Sequence, residues 1–176
     1  MNTELNKERA HLSDLLEAIQ RSSWFLNESL KKISWPLDAE ELARRNKDID
    51  LFETLSAINE RFAKLQDTLA SAMRHSALLM GEPTDPFLKV LTFFEKQGVL
   101  NSVDAWQECR MVRNMAAHDY ETEYELIAEH FNTVRSMFPM LLSVSQGLLR
   151  VVSQELSIHP SSNDFHSEFT SIQIGG

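Results

Sequence analysis

Punctuation is scarce in this chain of 176 residues, which holds only five glycines and five prolines. That disfavours a many-stranded β-fold, which must turn often, and favours few, long helices. A single cysteine, Cys109, excludes an internal disulfide and any thiolate-rich zinc site. It fits a reducing compartment, so a cytoplasmic location is expected. No stretch of about twenty apolar residues occurs, so no membrane span is expected. The mixed-charge residues 1–8 contain no apolar signal core. An excess of basic residues is also missing: 17 Lys and Arg face 26 Asp and Glu, a formal net charge of −9. This argues against broad, nonspecific nucleic-acid binding, which needs many cationic contacts. It still allows a small cationic cleft on an acidic body, and it suits a basic protein partner.

What is present is helical periodicity. Leu5, Leu12, Leu15, Leu16, Ile19 and Leu26 recur at spacings of three, four and seven, which predicts a helix over about 3–32. Trp35-Pro36 breaks it. Asp38 is a capping residue for a short helix from Ala39, with Glu41 three residues on. The longest periodic run covers about 49–80, where Leu51, Leu55, Ile58, Phe62, Leu65, Leu69 and Met73 form one stripe. Gly81-Glu82-Pro83 ends it. Thr84 or Asp85 is expected to cap a shorter helix closed by Gly98. Ser102 is expected to cap the next one, with Asp104 in its first turn. A last long helix is expected from about 123 to 156, kinked or broken at Pro139. The chain therefore reads as one all-α, antiparallel helical bundle over 1–157. Residues 158–176, rich in Ser, Asn, Pro and Gly, read as a weakly ordered C-terminal tail, with Phe165, Phe169, Ile172 and Ile174 able to anchor it to a groove.

One segment is not scaffold. Arg113-Asn114-Met115-Ala116-Ala117-His118-Asp119-Tyr120 sets five polar side chains around two alanines. Asn114 and His118 are four apart and share a helical face. The alanines keep the surface low, so a ligand or a second chain can approach. A fixed cation, a group titrating near neutrality and a phenol are then close together. Taken alone, Arg113 and His118 are explained by the dipole at a helix C-terminus. His11, His75, His130, His159 and His166 show no metal-ligand spacing and read as surface residues. Neither a metal nor a cofactor is expected. Cys109 reads as a buried, inert thiol, Trp24, Trp35 and Trp106 as core, and Met111, Met115, Met137 and Met140 as packing residues near a dimer seam. Arg110, Arg113 and Arg135 are expected to make a local positive patch.

The pattern Arg-Asn-x-x-x-His-x-Tyr resembles the signature of HEPN domains, specifically the HepT-like toxins of bacterial toxin–antitoxin pairs. The resemblance rests on Arg113, Asn114, His118 and Tyr120, and on a helical plan in which the motif opens into the final long helix. It implies a HEPN-like bundle that forms a homodimer, with two motifs facing each other across a cleft. It implies a metal-independent endoribonuclease with RNA as substrate. It also implies a partner, a small nucleotidyltransferase antitoxin of the MNT type, which silences the toxin by attaching AMP to the motif tyrosine, here Tyr120. On that resemblance the catalytic residues are Arg113, Asn114 and His118. His118 would act as acid or base, Arg113 would neutralise the scissile phosphate, and Asn114 would orient His118 or the phosphate. Two rivals stand beside it: a non-catalytic HEPN substrate-binding partner of a nucleotidyltransferase, and a helical adaptor in which the motif is only a cap.

Overall fold

The protein is represented by a computed structural model that describes residues 2–115 and 123–173. Among the described residues there are seven helices and no strand. They are α1 Asn2–Leu30, α2 Ala39–Arg44, α3 Ile49–Leu79, α4 Phe87–Lys96, α5 Val103–Met115, α6 Tyr124–Leu156 and α7 His166–Thr170. The all-α bundle expected from sparse punctuation is the observed architecture.

Pairings along the three long helices fix their directions. Near the start of α1, Glu8 Oε2 meets His75 Nδ1 at 2.8 Å, and the His11 and His75 rings stack edge to face. Near its end, Arg61 donates to the Phe25 carbonyl and to Ser29 Oγ. So α1 and α3 are antiparallel. Arg9 Nη2 donates to the Leu156 carbonyl at 2.9 Å, and Leu30 lies beside Phe138 and Leu142. Hence α6 is also antiparallel to α1, and it runs parallel to α3. The core takes in the apolar stripes predicted for α1 and α3 and a third from α6: Leu12, Leu16 and Ile19 of α1, Ile58, Phe62 and Leu65 of α3, and Leu141, Leu142 and Leu148 of α6 are wholly buried. Each such side chain contributes about 1.5–3 kcal/mol through burial.

Two of the three caps expected from the sequence are observed. Asp38 Oδ1 accepts from the Glu41 backbone N–H at 2.9 Å, and Ser102 Oγ accepts from that of Ala105 at 3.0 Å. Asp48 caps α3 by accepting from the Leu51 N–H at 3.0 Å. At α4 neither Thr84 nor Asp85 is the cap. Pro86 occupies that position, without a side-chain hydrogen bond. Gly81 and Gly98 end their helices with φ of 76° and 73°, the left-handed conformation that favours glycine. α6 continues as one helix through Pro139. The expected break is absent, and Phe138 and Leu141 on either side of the proline are buried in the core.

The chain after Ser157 is narrower as a tail than expected. Over 158–173 it docks along one face of α1, while 174–176, which include the proposed anchor Ile174, lie outside the described residues. Ser13 Oγ donates to the His159 carbonyl at 2.6 Å, and Ser161 and Ser162 both donate to the Glu17 carboxylate. Arg21 then sits over the rings of Phe25 and Phe165, each at 5.6 Å. Ile158, Phe169 and Ile172 are buried. The anchors Phe165, Phe169 and Ile172 thus supply the apolar contact, and the serines supply the polar one.

Two outcomes are expected. Phe62→Ala removes a wholly buried ring and should cost about 3–5 kcal/mol, read as a lowered denaturant midpoint in far-ultraviolet circular dichroism. The hydrogen bonds from Ser161 and Ser162 hold the Glu17 carboxyl below its ordinary value of 4.5. A depressed carboxyl stabilises the folded chain above its unfolded pKa and loses that contribution as pH falls through the folded one. Glu17→Gln should therefore be less stable than the parent at pH 7, and the gap should close below that folded value. Equal stability at pH 7 would show that the serine–carboxylate contact contributes nothing.

Candidate functional site

The second half of α5 carries the start of the motif. Trp106, Cys109 and Val112 are its buried stripe against the bundle. That register leaves Arg110, Met111, Asn114 and Met115 exposed and Arg113 half-buried. The motif residues His118 and Tyr120, with Ala116, Ala117, Asp119, Glu121 and Thr122, lie outside the described residues. The shared helical face expected for Asn114 and His118 therefore concerns one residue that is described and one that is not.

Arg113 has a defined geometry. Its Nη2 donates to Asp67 Oδ2 of α3 at 2.7 Å, and its Nη1 donates to Asn114 Oδ1 at 3.2 Å. Its Nε is buried without a hydrogen-bond partner among the described residues. Asn114 was expected to orient His118 or a phosphate; among the described residues it orients Arg113. The side chains of Arg113 and Asp67 are 34% and 56% exposed. A pair this open to water is worth about 1 kcal/mol or less. Asp67 thus fixes the guanidinium in place without binding it so tightly that an incoming polyanion could not displace it.

These residues line a cleft of about 500 Å³ between α3 and α5, together with Arg74, Arg110, Phe87 and Trp106. Arg74 lies over the Phe87 ring at 5.1 Å and donates to the Thr84 carbonyl at 3.2 Å. Among the described lining residues three guanidiniums therefore face one carboxylate, although the chain as a whole carries −9. The positive patch expected from sequence is there, with a different membership. Arg135 is not part of it: it lines a separate cleft with Lys31 and Trp35, between α1 and α6. Arg74 takes its place, because α3 packs its polar edge against α5. The sequence carried one signal for this, since Asp67 and Arg74 are seven apart on a helix and share a face. Nothing in it joined that face to Arg113.

A slightly larger cleft of about 540 Å³ lies between the end of α1, α2 and the start of α3. Its charges are largely self-neutralised. Arg45 pairs with Glu41 at 3.2 Å and with Asp48 at 2.7 Å. The motif does not reach it, so size alone does not mark the site.

The other candidates resolve by burial. Cys109 is wholly buried, and desolvation pushes its thiol up to about 12. It is protonated at neutral pH and is no nucleophile. His130, expected on the surface, is buried instead, with Nε2 at 2.9 Å from Asn59 Oδ1. Burial lowers its pKa, so it stays neutral near pH 7. It sits where α6 faces α3. His11, His159 and His166 are exposed and His75 is half-buried. Among the described residues no group of three His, Cys, Asp or Glu is placed to hold a metal. Trp106 is core, with Trp24 and Trp35 packed against it. The methionines divide: Met137 and Met140 pack on the core, whereas Met111 and Met115 are 65% and 45% exposed beside the motif.

The thiol gives a direct check on this register of α5. Cys109 should be inert to a thiol-specific chromogenic reagent in the native protein at pH 8 and react fully in denaturant. Rapid native labelling would mean that α5 presents a different face to the bundle. Comparison of the chain with protein-family models, with curated proteins and with solved structures found no match.

Proposed function

We propose that the chain is a metal-independent endoribonuclease toxin of the HEPN type, acting as a cytoplasmic homodimer. The observation that carries this reading is the position of Arg113 and Asn114. They stand at the exposed end of α5, in a cleft richer in guanidinium than in carboxylate, where the chain leads into His118 and Tyr120. Metal-free cleavage of RNA uses the ribose 2′-hydroxyl as the nucleophile on the adjacent phosphorus. One group must accept its proton, another must protonate the departing 5′-oxygen, and a cation must meet the charge on the phosphorane. In a homodimer, His118 of each copy would fill one of the two proton-transfer roles. Arg113 would meet the phosphoryl oxygens with its forked donors, and Asn114 would hold that fork in orientation. The products would be a 2′,3′-cyclic phosphate and a free 5′-hydroxyl. DNA lacks the nucleophile, so RNA is the substrate class. The exposed Met111 and Met115 fit a seam between two copies next to the motif.

Tyr120 is the proposed acceptor of AMP from an MNT-type nucleotidyltransferase antitoxin. A nucleotide ester there would add an anion that competes with RNA for Arg113. One observation favours the second reading, a non-catalytic substrate-binding partner of such a nucleotidyltransferase. Asp67 already occupies part of the Arg113 fork, as suits a site that binds and releases an anion without reacting with it.

The experiment is expression of the parent beside His118→Ala in a bacterial host, scoring growth and the integrity of total RNA. Growth arrest with RNA loss in the parent alone is expected. Harmless growth of both, with intact RNA, would overturn the nuclease and favour the binding partner.

A further inference from the structure

The described part of the cleft extends well beyond Arg113. Arg110 precedes it by one helical turn on α5, is exposed, and makes no ion pair among the described residues. Arg74 stands across the cleft on α3, seven residues beyond Asp67, or about 10 Å of helix rise. Its described partners are a carbonyl and an aromatic ring, so it too makes no ion pair among the described residues. Both are therefore available to an anion, and Phe87 and the Thr84 carbonyl hold Arg74 in place for one. Asp67 is the only carboxylate among the described lining residues.

We infer that this cleft is a groove for the backbone of single-stranded RNA, in which Arg110 and then Arg74 hold the phosphates that follow on one side of the one at Arg113, and Asp67 is the internal competitor that the RNA displaces. The inference rests on the nuclease reading for the choice of RNA. The lining itself favours a backbone over a free nucleotide. The cations are spread along the cleft instead of converging on one point. Among the described lining residues no aromatic face is free to hold a base, since Trp106 is buried and Arg74 covers Phe87. Phosphates held by Arg110 and Arg74 would set the register of the strand at Arg113 without reading its sequence. Asp67 has a second effect. It keeps the Arg113 fork extended into the cleft when no RNA is present, and it weakens any ligand that cannot engage the flanking arginines as well. A short phosphate-bearing metabolite is thus disfavoured against a polymer.

The test is binding of a short 2′-O-methyl oligonucleotide, which has no free 2′-hydroxyl and cannot be cut by the proposed route. Arg110→Ala and Arg74→Ala should each weaken binding about tenfold. Each should also reduce the slope of log affinity against log salt by about 0.7, the value for one phosphate contact on a single strand. Asp67→Asn should tighten binding up to about fivefold. Arg74 also steadies the α3–α4 turn, so thermal melting of its variant is compared with that of Arg110→Ala, whose side chain has no described partner to lose. Unchanged binding in Arg110→Ala overturns the inference and leaves the His118 experiment untouched. Competition by free AMP as strong as by the oligonucleotide replaces the RNA groove with a nucleotide site. Binding through these arginines by a protein that cuts no RNA retains the groove and overturns the nuclease.

Discussion

Helices α3 and α6 run in the same direction, and no short loop joins two parallel helices. The chain must first return along the bundle, and α4 and α5 serve that return. α4 turns the chain at the far end of α3, and Val99 then meets α6 at Gly147, where an added Cβ would come within 3.3 Å of the Val99 backbone. α5 carries the chain back, spanning about 20 Å in its 13 residues. The motif falls where this return gives way to α6. Its place between two helices that could not otherwise be connected follows from the topology.

The same constraint decides what the motif touches. A returning helix packs between the parallel pair, so α5 shows one edge to α3 and the other to α6. Arg113 faces the α3 edge and meets Asp67 there. The site is consequently shared between segments separated by 46 residues of sequence. Its electrostatics belong to the pair of helices and not to the eight-residue motif.

This explains which features the sequence made visible. The helices were legible because each buries one stripe, and a stripe is a local pattern: Leu12 to Leu26 in α1 and Leu51 to Met73 in α3 needed no partner to be recognised. Caps such as Asp38 and Ser102 are local too. Thr84 and Asp85 misled because both have capping side chains, while the backbone places Pro86 at the cap. His130 was misread as a surface residue because a polar side chain opposite Asn59 reveals its burial only once α3 and α6 are parallel. Arg74 replaced Arg135 in the patch because the packing of α3 against α5, which brings it there, is likewise a tertiary contact. The docking of 158–173 was half legible: its apolar anchors stood out against a polar background, whereas Glu17 as the acceptor for two serines depended on a contact across more than 140 residues.

α6 is one continuous helix of 33 residues, about 50 Å long. It begins where the motif ends and reaches the carbonyl of Leu156, which Arg9 holds. A rod of this length works as a lever. A tilt of about 5° at the motif end would displace the other end by about 4 Å, more than the roughly 1–2 Å helix shifts that packed interfaces use to switch between states. The docked segment beyond Ser157 follows from that end and is itself tied to α1. Pressure exerted on α6 at the motif would therefore be delivered mechanically to the seam between α1 and its C-terminal strap.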